Sequence, residues 1–371
     1  MRPIPVSAPS LGGNEKQYLE QCINTGWISS EGPFVERLEK EFARSVDREY
    51  GIAVCNGTAA LELGLQMLGL QHGDEVIVPT FTIISCALAV LRAGAVPVFV
   101  DSDSLTWNMD PDAVAGIITE NTKAVMLVHI YGLPAHVDKW LELARRHSLR
   151  VIEDASQMHG QNYHDSPCGS FGELSVFSFY PNKLVTTGEG GIVVTDDSDT
   201  AERCRLLRNL AFRPEKRFVH DELGWNFRMS NLQAAVGVAQ LERLEEFVRR
   251  KRHIGSRYTE NLSSLSGAQL PLEKTEYSRN IYWAYGVVLA DEVGPDSEEV
   301  MRRLSEKQIG TRPFFWPMHE QPALVGRYRE TGRGYPVAER LARRGFYLPS
   351  GVMLSDAEID YVSSALIDIL K

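Results

Sequence analysis

At 371 residues, with 43% hydrophobic and 24% charged positions, the chain has an ordinary globular composition and more length than one core usually holds, about 250 to 300 residues. Its formal net charge of -10 argues against nucleic acid as the main partner, because phosphate binding needs a basic face. No apolar run approaches the roughly 20 residues that cross a bilayer, and no charged-then-apolar leader opens the sequence, so no membrane partner is expected.

In chain order, Gly51 to Cys55 reads as a short buried strand. After Asn56 the apolar positions Leu61, Leu65 and Leu68 recur at helical spacing, so Gly57 and Thr58 open a helix whose free N–H groups and positive dipole end would point at an anion; the competing and more common reading is an ordinary capped helix, with Asn56 or Thr58 as cap. Further strands are predicted at Glu75 to Pro79, Val96 to Asp101, Ala124 to His129, Arg150 to Asp154 and Leu174 to Phe179, with a helix at Ala135 to His147 among the connections. Such short apolar runs predict an α/β fold around a mostly parallel sheet buried on both faces. Ligands bind at the carboxyl ends of these strands, where Asn56, Asp154 and the loop to Lys183 fall.

Alone, a loop lysine is usually solvated, and an aspartate ending a strand is often a helix cap. Together they fit one chemistry. A lysine amine condenses with the aldehyde of pyridoxal phosphate, and a carboxylate at the pyridine nitrogen keeps that nitrogen protonated so the ring accepts electrons. Ser178, five residues before Lys183, offers a hydroxyl to the same phosphate as the helix opened by Gly57.

Toward the C-terminus, Ser230 to about Leu262 reads as one long helix joining a large domain, residues 1–250, to a smaller one, residues 251–371. Its basic run Arg249-Arg250-Lys251-Arg252 reads as a solvated face. A strand at Tyr282 to Leu289, a helix at Ser297 to Glu306 and a strand at Thr311 to Trp316 follow, and Ser355 with Glu358 makes a capping box for the last helix. Five cysteines, widely spread and without C-x-x-C spacing, suit reduced thiols in a cytoplasm.

Other chemistries fit less well. His159, His164 and Cys168 fall short of a zinc pattern, so no metal is expected, and neither a dinucleotide fingerprint nor a P-loop occurs. His319, near Trp316 and Arg312, offers the aromatic surface and cations that a pocket for an anionic ligand needs. The competing reading makes Phe314, Phe315 and Trp316 core.

A series of ordered motifs carries a family resemblance: Gly26 to Pro33, Asn56 to Leu61, Gly73 to Pro79, Glu153 to Gln157, Ser178 to Lys183, Thr186 to Gly191 and Gly224 to Asn231. Through them the chain resembles the DegT family of nucleotide-sugar aminotransferases, fold-type-I pyridoxal-phosphate enzymes, from Pro3 to the C-terminus. The segments Pro9 to Glu15, Trp27 to Ser30 and Arg312 to His319 are most similar to its GDP-perosamine synthases.

The resemblance implies a large domain with a seven-stranded sheet and a smaller C-terminal α/β domain. It makes Lys183 the Schiff-base lysine and proton shuttle, and pairs Asp154 with the pyridine nitrogen. Gln157 would approach the ring hydroxyl, while Gly57, Thr58 and Ser178 hold the phosphate. Asn226 would reach the phosphate of the neighbouring subunit, which implies a homodimer with shared sites. Substrate contacts would come from Trp27, Ser29, Arg228, Trp316 and His319. The implied reaction moves the amino group of L-glutamate to the 4-keto carbon of a nucleotide-linked 4-keto-6-deoxyhexose.

Two positions depart from the pattern. Ile83 stands where the family has an aromatic residue stacked on the cofactor, a loss of order 1 kcal/mol by analogy with aromatic pairs, with Phe81 the candidate to compensate. His159 follows Gln157 where small or apolar residues are common, and is read as a satisfied structural histidine. Two rival functions share the fold. A sugar 3-dehydrase would carry histidine in place of Lys183, and a non-catalytic cofactor-binding regulator would show erosion of Asp154, Lys183 or the phosphate residues; neither change is visible.

Overall fold

In the computed structural model, whose described residues are 3–213 and 215–371, helices α1 (Glu15–Thr25) and α2 (Pro33–Ser45) precede the first strand. Strands β1 (Tyr50–Val54), β2 (Glu75–Pro79), β3 (Val96–Val100), β4 (Thr122–Val128) and β5 (Arg150–Asp154) then alternate with α3 (Gly57–Met67), α4 (Ile84–Arg92) and α5 (Val137–Arg146). A two-stranded hairpin, β6 (Asn162–Tyr163) and β7 (Ser166–Pro167), leads to β8 (Leu174–Ser178), β9 (Gly191–Thr195) and α6 (Ser198–Arg208).

Seven of these strands form one sheet in the order β1-β9-β8-β5-β4-β2-β3. The β2/β3, β2/β4, β4/β5 and β5/β8 pairs are parallel, whereas β9 runs antiparallel to both β1 and β8. The sheet is therefore mostly parallel, with β9 the reversed strand. Every residue of β2 and β9 is buried, as expected of strands covered by helices on both faces. Asn56, Asp154 and Ser178 all stand at the carboxyl edge of this sheet.

The predicted long helix is two helices, α7 (Asn231–Leu241) and α8 (Leu244–Leu262). No glycine or proline marks the break; tertiary contacts do. Glu242 accepts hydrogen bonds from Asn14, Tyr18 and Arg37, and Arg243 reaches Ser10, so the junction is held by α1, α2 and the N-terminal strap. Residue 250 lies inside α8, where Phe247 and Val248 pack with Leu184 and Ile281, while Ile254, Tyr258 and Leu262 join a separate core. We propose α8 as the joint between the two domains.

That second core lies against a four-stranded sheet of order β10-β11-β13-β12, built from β10 (Ala268–Gln269), β11 (Tyr285–Leu289), β12 (Arg312–Pro313) and β13 (Gly345–Leu348). Helices α9 (Ser297–Glu306), α10 (Pro336–Arg344) and α11 (Asp356–Leu370) complete the chain, the last opened by the predicted Ser355/Glu358 capping box. Two predicted strands are shorter than expected. Tyr282 takes φ +51, so the strand begins only at Tyr285, and the segment from Thr311 to Trp316 pairs only at Arg312 and Pro313.

Candidate active site

One cavity of about 1060 Å³ opens at the carboxyl edge of the large sheet, and Gly57, Thr58, Asp154, Gln157, Ser178 and Lys183 all line it. At one end stands the start of α3. Asn56 Oδ1 accepts the N–H of Ala59 at 2.8 Å and caps the helix, which leaves the N–H groups of Gly57 and Thr58 without intrahelical acceptors. A Cβ at Gly57 would lie 2.7 Å from that of Ser178, so only glycine lets the helix start meet the end of β8. The Thr58 and Ser85 hydroxyls, 2.9 Å apart, complete a ring of small donors at a helix N-terminus, a cradle suited to a phosphate.

Asp154 ends β5 and is 3% exposed. Its Oδ1 accepts the N–H of Ser156 at 3.0 Å, and its Oδ2 accepts the thiol of Cys86 at 3.5 Å. Burial and the nearby carboxylate push the Cys86 thiol well above its ordinary value, so it stays a donor. Each carboxylate oxygen keeps a free lone pair for a partner in the cavity. Gln157 is oriented by its neighbour: the N–H of Tyr131 donates to Oε1 at 2.5 Å, which leaves the amide NH2 as the group presented to a ligand.

Lys183 lies between these two ends. Its Nζ sits 4.4 Å from the centroid of the Trp283 ring, and the Trp283 indole N–H donates to the carbonyl of Asn182 at 3.0 Å. Desolvation lowers the amine from 10.5 to about 8, with Asp154 pulling the other way. A lysine so depressed is partly neutral near pH 8, as a nucleophile or proton shuttle needs to be. Trp283 carries no sequence motif of its own and was hidden in what reads as a strand.

His159 is not the satisfied histidine expected from the sequence. It is 1% exposed, neither ring nitrogen has a partner among the described residues, and Phe42, Phe177 and Phe179 surround it at ring distances of 5.3 to 6.0 Å. Burial and the Lys183 charge lower it to about 3, so the ring is neutral. Phe81 does not compensate for Ile83 either. Ile83 is 45% exposed on the cavity wall, whereas Phe81 is buried in a cluster with Tyr131, Phe314 and Phe315. The aromatic surface of the cavity comes from Tyr180, Trp225, Phe227, Trp283, Phe315 and Tyr347 instead.

His129 also reaches the wall. The N–H of Ala135 donates to its Nδ1 at 3.0 Å, so the proton sits on Nε2 and is donated to Glu153 at 2.9 Å. Glu153 further accepts from Gly169, Phe171 and Ser175. Cys168 lies close to this pair, but burial holds it as a thiol and the atoms a metal would need are already committed. His164 is elsewhere, on the surface beside Asp138.

The remaining predicted residues are not in this cavity. Trp27, Ser29, Asn226 and Arg228 line a second hollow of about 560 Å³. Arg228 is held there by Asn226 and Asn209, at 3.0 and 2.6 Å. The segment from Trp225 to Phe227 alternates, with its two aromatic rings on the first cavity and Asn226 on the second hollow. Trp316 is 47% exposed with the Arg343 guanidinium 5.3 Å from its ring, and His319 hydrogen-bonds Thr80 at 2.7 Å and stacks on Tyr335. Of the Phe314-Phe315-Trp316 run, Phe314 is core and Phe315 faces the cavity.

A family model described as the DegT/DnrJ/EryC1/StrS aminotransferase family matches residues 9–367. The chain is 40% identical over 367 residues to a GDP-perosamine synthase of Escherichia coli O157:H7, covering 99% of this chain and 98% of that protein. It is equally similar to a GDP-perosamine synthase of Caulobacter vibrioides, with the same coverage. Among solved structures, DesV of S. venezuelae in complex with a ketimine intermediate superposes with a TM-score of 0.91 at 32% identity, covering 100% of this chain and 99% of that one.

Proposed function

The chain belongs to the DegT/DnrJ/EryC1/StrS aminotransferase family, and from that membership we propose that it transfers the amino group of L-glutamate to the 4-keto carbon of a nucleotide-linked 4-keto-6-deoxyhexose. It is a pyridoxal-phosphate-dependent sugar aminotransferase, and the GDP-perosamine synthases it resembles favour GDP as the nucleotide. The observation that carries the reading is the gathering of Lys183, Asp154, Gln157 and the α3 N-terminus around one cavity.

When bound, the cofactor supplies an aldehyde carbon for amine exchange and a ring that accepts electrons. The residues present fit it. The N–H groups of Gly57 and Thr58 and the Ser178 hydroxyl would hold the phosphate, and the Asp154 carboxylate would keep the pyridine nitrogen protonated. Gln157, its Oε1 already engaged by Tyr131, would offer its amide N–H to the ring oxygen. Lys183, kept partly neutral by burial, takes the α-proton of glutamate and later returns a proton at the sugar carbon.

Asn226, Trp27, Ser29 and Arg228 stand apart in the second hollow, and we assign them to the site of a neighbouring subunit, which makes the working unit a homodimer. Five free cysteines agree with a reducing cytoplasm, and no described helix is long and apolar enough to cross a membrane. Incubating cofactor-loaded protein with L-glutamate and a panel of GDP-, dTDP- and UDP-linked ketosugars tests the assignment by mass spectrometry. Amination of the GDP-linked 4-keto-6-deoxyhexose is expected; no amination of any sugar in the panel counts against it.

A further inference from the structure

The basic run that reads as a solvated face puts its third member in the interior. Lys251 is 3% exposed, and its ammonium donates to the carbonyl of Trp283 at 2.8 Å and to the carbonyl of Ser350. Among the described residues no carboxylate pairs with it, and burial lowers it to about 7. A buried amine without a counter-ion is costly, and a methionine of similar length would fill the same space without that cost. The two hydrogen bonds therefore need a purpose beyond packing.

The two carbonyls belong to different segments. Trp283 lies just before β11 and Ser350 just after β13, and these strands pair with Tyr285 opposite Leu348. Lys251 thus ties α8 to both chains at one end of that ladder. The side chain of Trp283 has the Lys183 amine 4.4 Å from its ring centroid and its indole N–H on the carbonyl of Asn182, next to Lys183. One buried amine, able to donate both bonds charged or neutral, holds the main chain whose ring covers the reactive amine.

We infer that Lys251 is a positioning residue of the transamination, acting through the main chain of Trp283 to keep the indole over Lys183. The inference rests on Lys183 being the reactive amine of the proposed function. Besides the indole, the groups near Lys183 are the Asp154 carboxylate, the Cys86 thiol and the neutral His159 ring, and Lys251 lines the same small hollow as Lys183. Burial is the largest influence on its proton affinity, so loosening the indole lets water in and moves the amine toward an ordinary lysine.

The test uses the cofactor-free protein, acetylated with limiting acetic anhydride across a pH series and followed at Lys183 by peptide mass mapping. Wild type is expected to titrate near 8. Lys251→Met and Lys251→Gln are expected to raise that midpoint by about half a unit or more, and Trp283→Ala, which keeps the carbonyl at 283, to move it the same way. An unchanged midpoint in a folded Lys251 variant overturns the inference. So does a shift in the Lys251 variants that Trp283→Ala fails to share, and so does failure of both Lys251 variants to fold, which would make the residue a stability element alone. A wild-type midpoint at 10.5 removes the premise about Lys183 itself, a result distinct from the others.

Discussion

The main-chain N–H of Tyr131 donates to Gln157 Oε1 at 2.5 Å, and this bond decides which end of the Gln157 amide the cavity sees. Tyr131 takes φ +56, a left-handed conformation uncommon outside glycine, and its ring is packed in the Phe81, Phe314 and Phe315 cluster. The turn that aims the N–H is thus held by the aromatic core behind the site. Gln157→Glu replaces a donor by a charge that repels the cofactor's ring oxygen. Cofactor affinity should fall roughly 10- to 100-fold, read by titrating cofactor-free protein in the visible absorbance band. Unchanged affinity would mean that Gln157 does not face the ring.

Ile83 leaves one face of the cavity aliphatic, and Phe81 is too deeply buried to replace it. Ile83→Tyr should tighten cofactor binding by roughly fivefold, the equivalent of about 1 kcal/mol of ring stacking. The same titration reads the change. Equal or weaker binding by a folded variant would place the ring elsewhere in the cavity.

Folding stability should carry the signature of Lys183. In the folded cofactor-free chain the amine titrates near 8, and in the unfolded chain near 10.5. Between those values the unfolded chain holds a proton the folded chain lacks, so stability from this group rises with pH across the window; below about 8 the full cost is present. Lys183→Met should therefore be more stable than wild type at about pH 7, with the gap narrowing toward about pH 10. Denaturant midpoints at both values check this, and a gap independent of pH would contradict it.

His159 offers a test of packing against polarity. With both nitrogens buried and unpartnered in an aromatic cage, it costs desolvation and gains no hydrogen bond among the described residues. His159→Phe should leave stability unchanged or raise it by up to about 1 kcal/mol. A loss of several kcal/mol in a chemical melt would reveal a partner that the ring now satisfies.

Local signals made much of this legible. Apolar runs between turn residues located β1 to β5 and β8, with β2 and β5 at their observed bounds, and the helical spacing after Asn56 located the start of α3. What stayed hidden depends on contacts distant in sequence. β9 follows a glycine-rich turn and reverses direction, so its pairing with β1 spans more than a hundred residues. The α7/α8 break is made by three side chains converging on Glu242. Trp283 acquires a role only because Lys251, far away on α8, holds its carbonyl, and the charge pattern of the run containing Lys251 pointed outward. Proximity in sequence to Phe315 did not bring Trp316 and His319 to the cavity: Trp316 is the next residue of an extended segment and faces the opposite way, while His319 lies on the short 3-10 turn Met318–Glu320, held by Thr80 and stacked on Tyr335.

The bond between the cofactor and this chain is the claim on which the functional account depends. Borohydride reduction of the cofactor-loaded protein, followed by proteolysis and peptide mass mapping, should find the reduced cofactor's mass on the peptide containing Lys183 and on no other lysine. The added mass on a different lysine, or on none in saturated protein, would contradict the account.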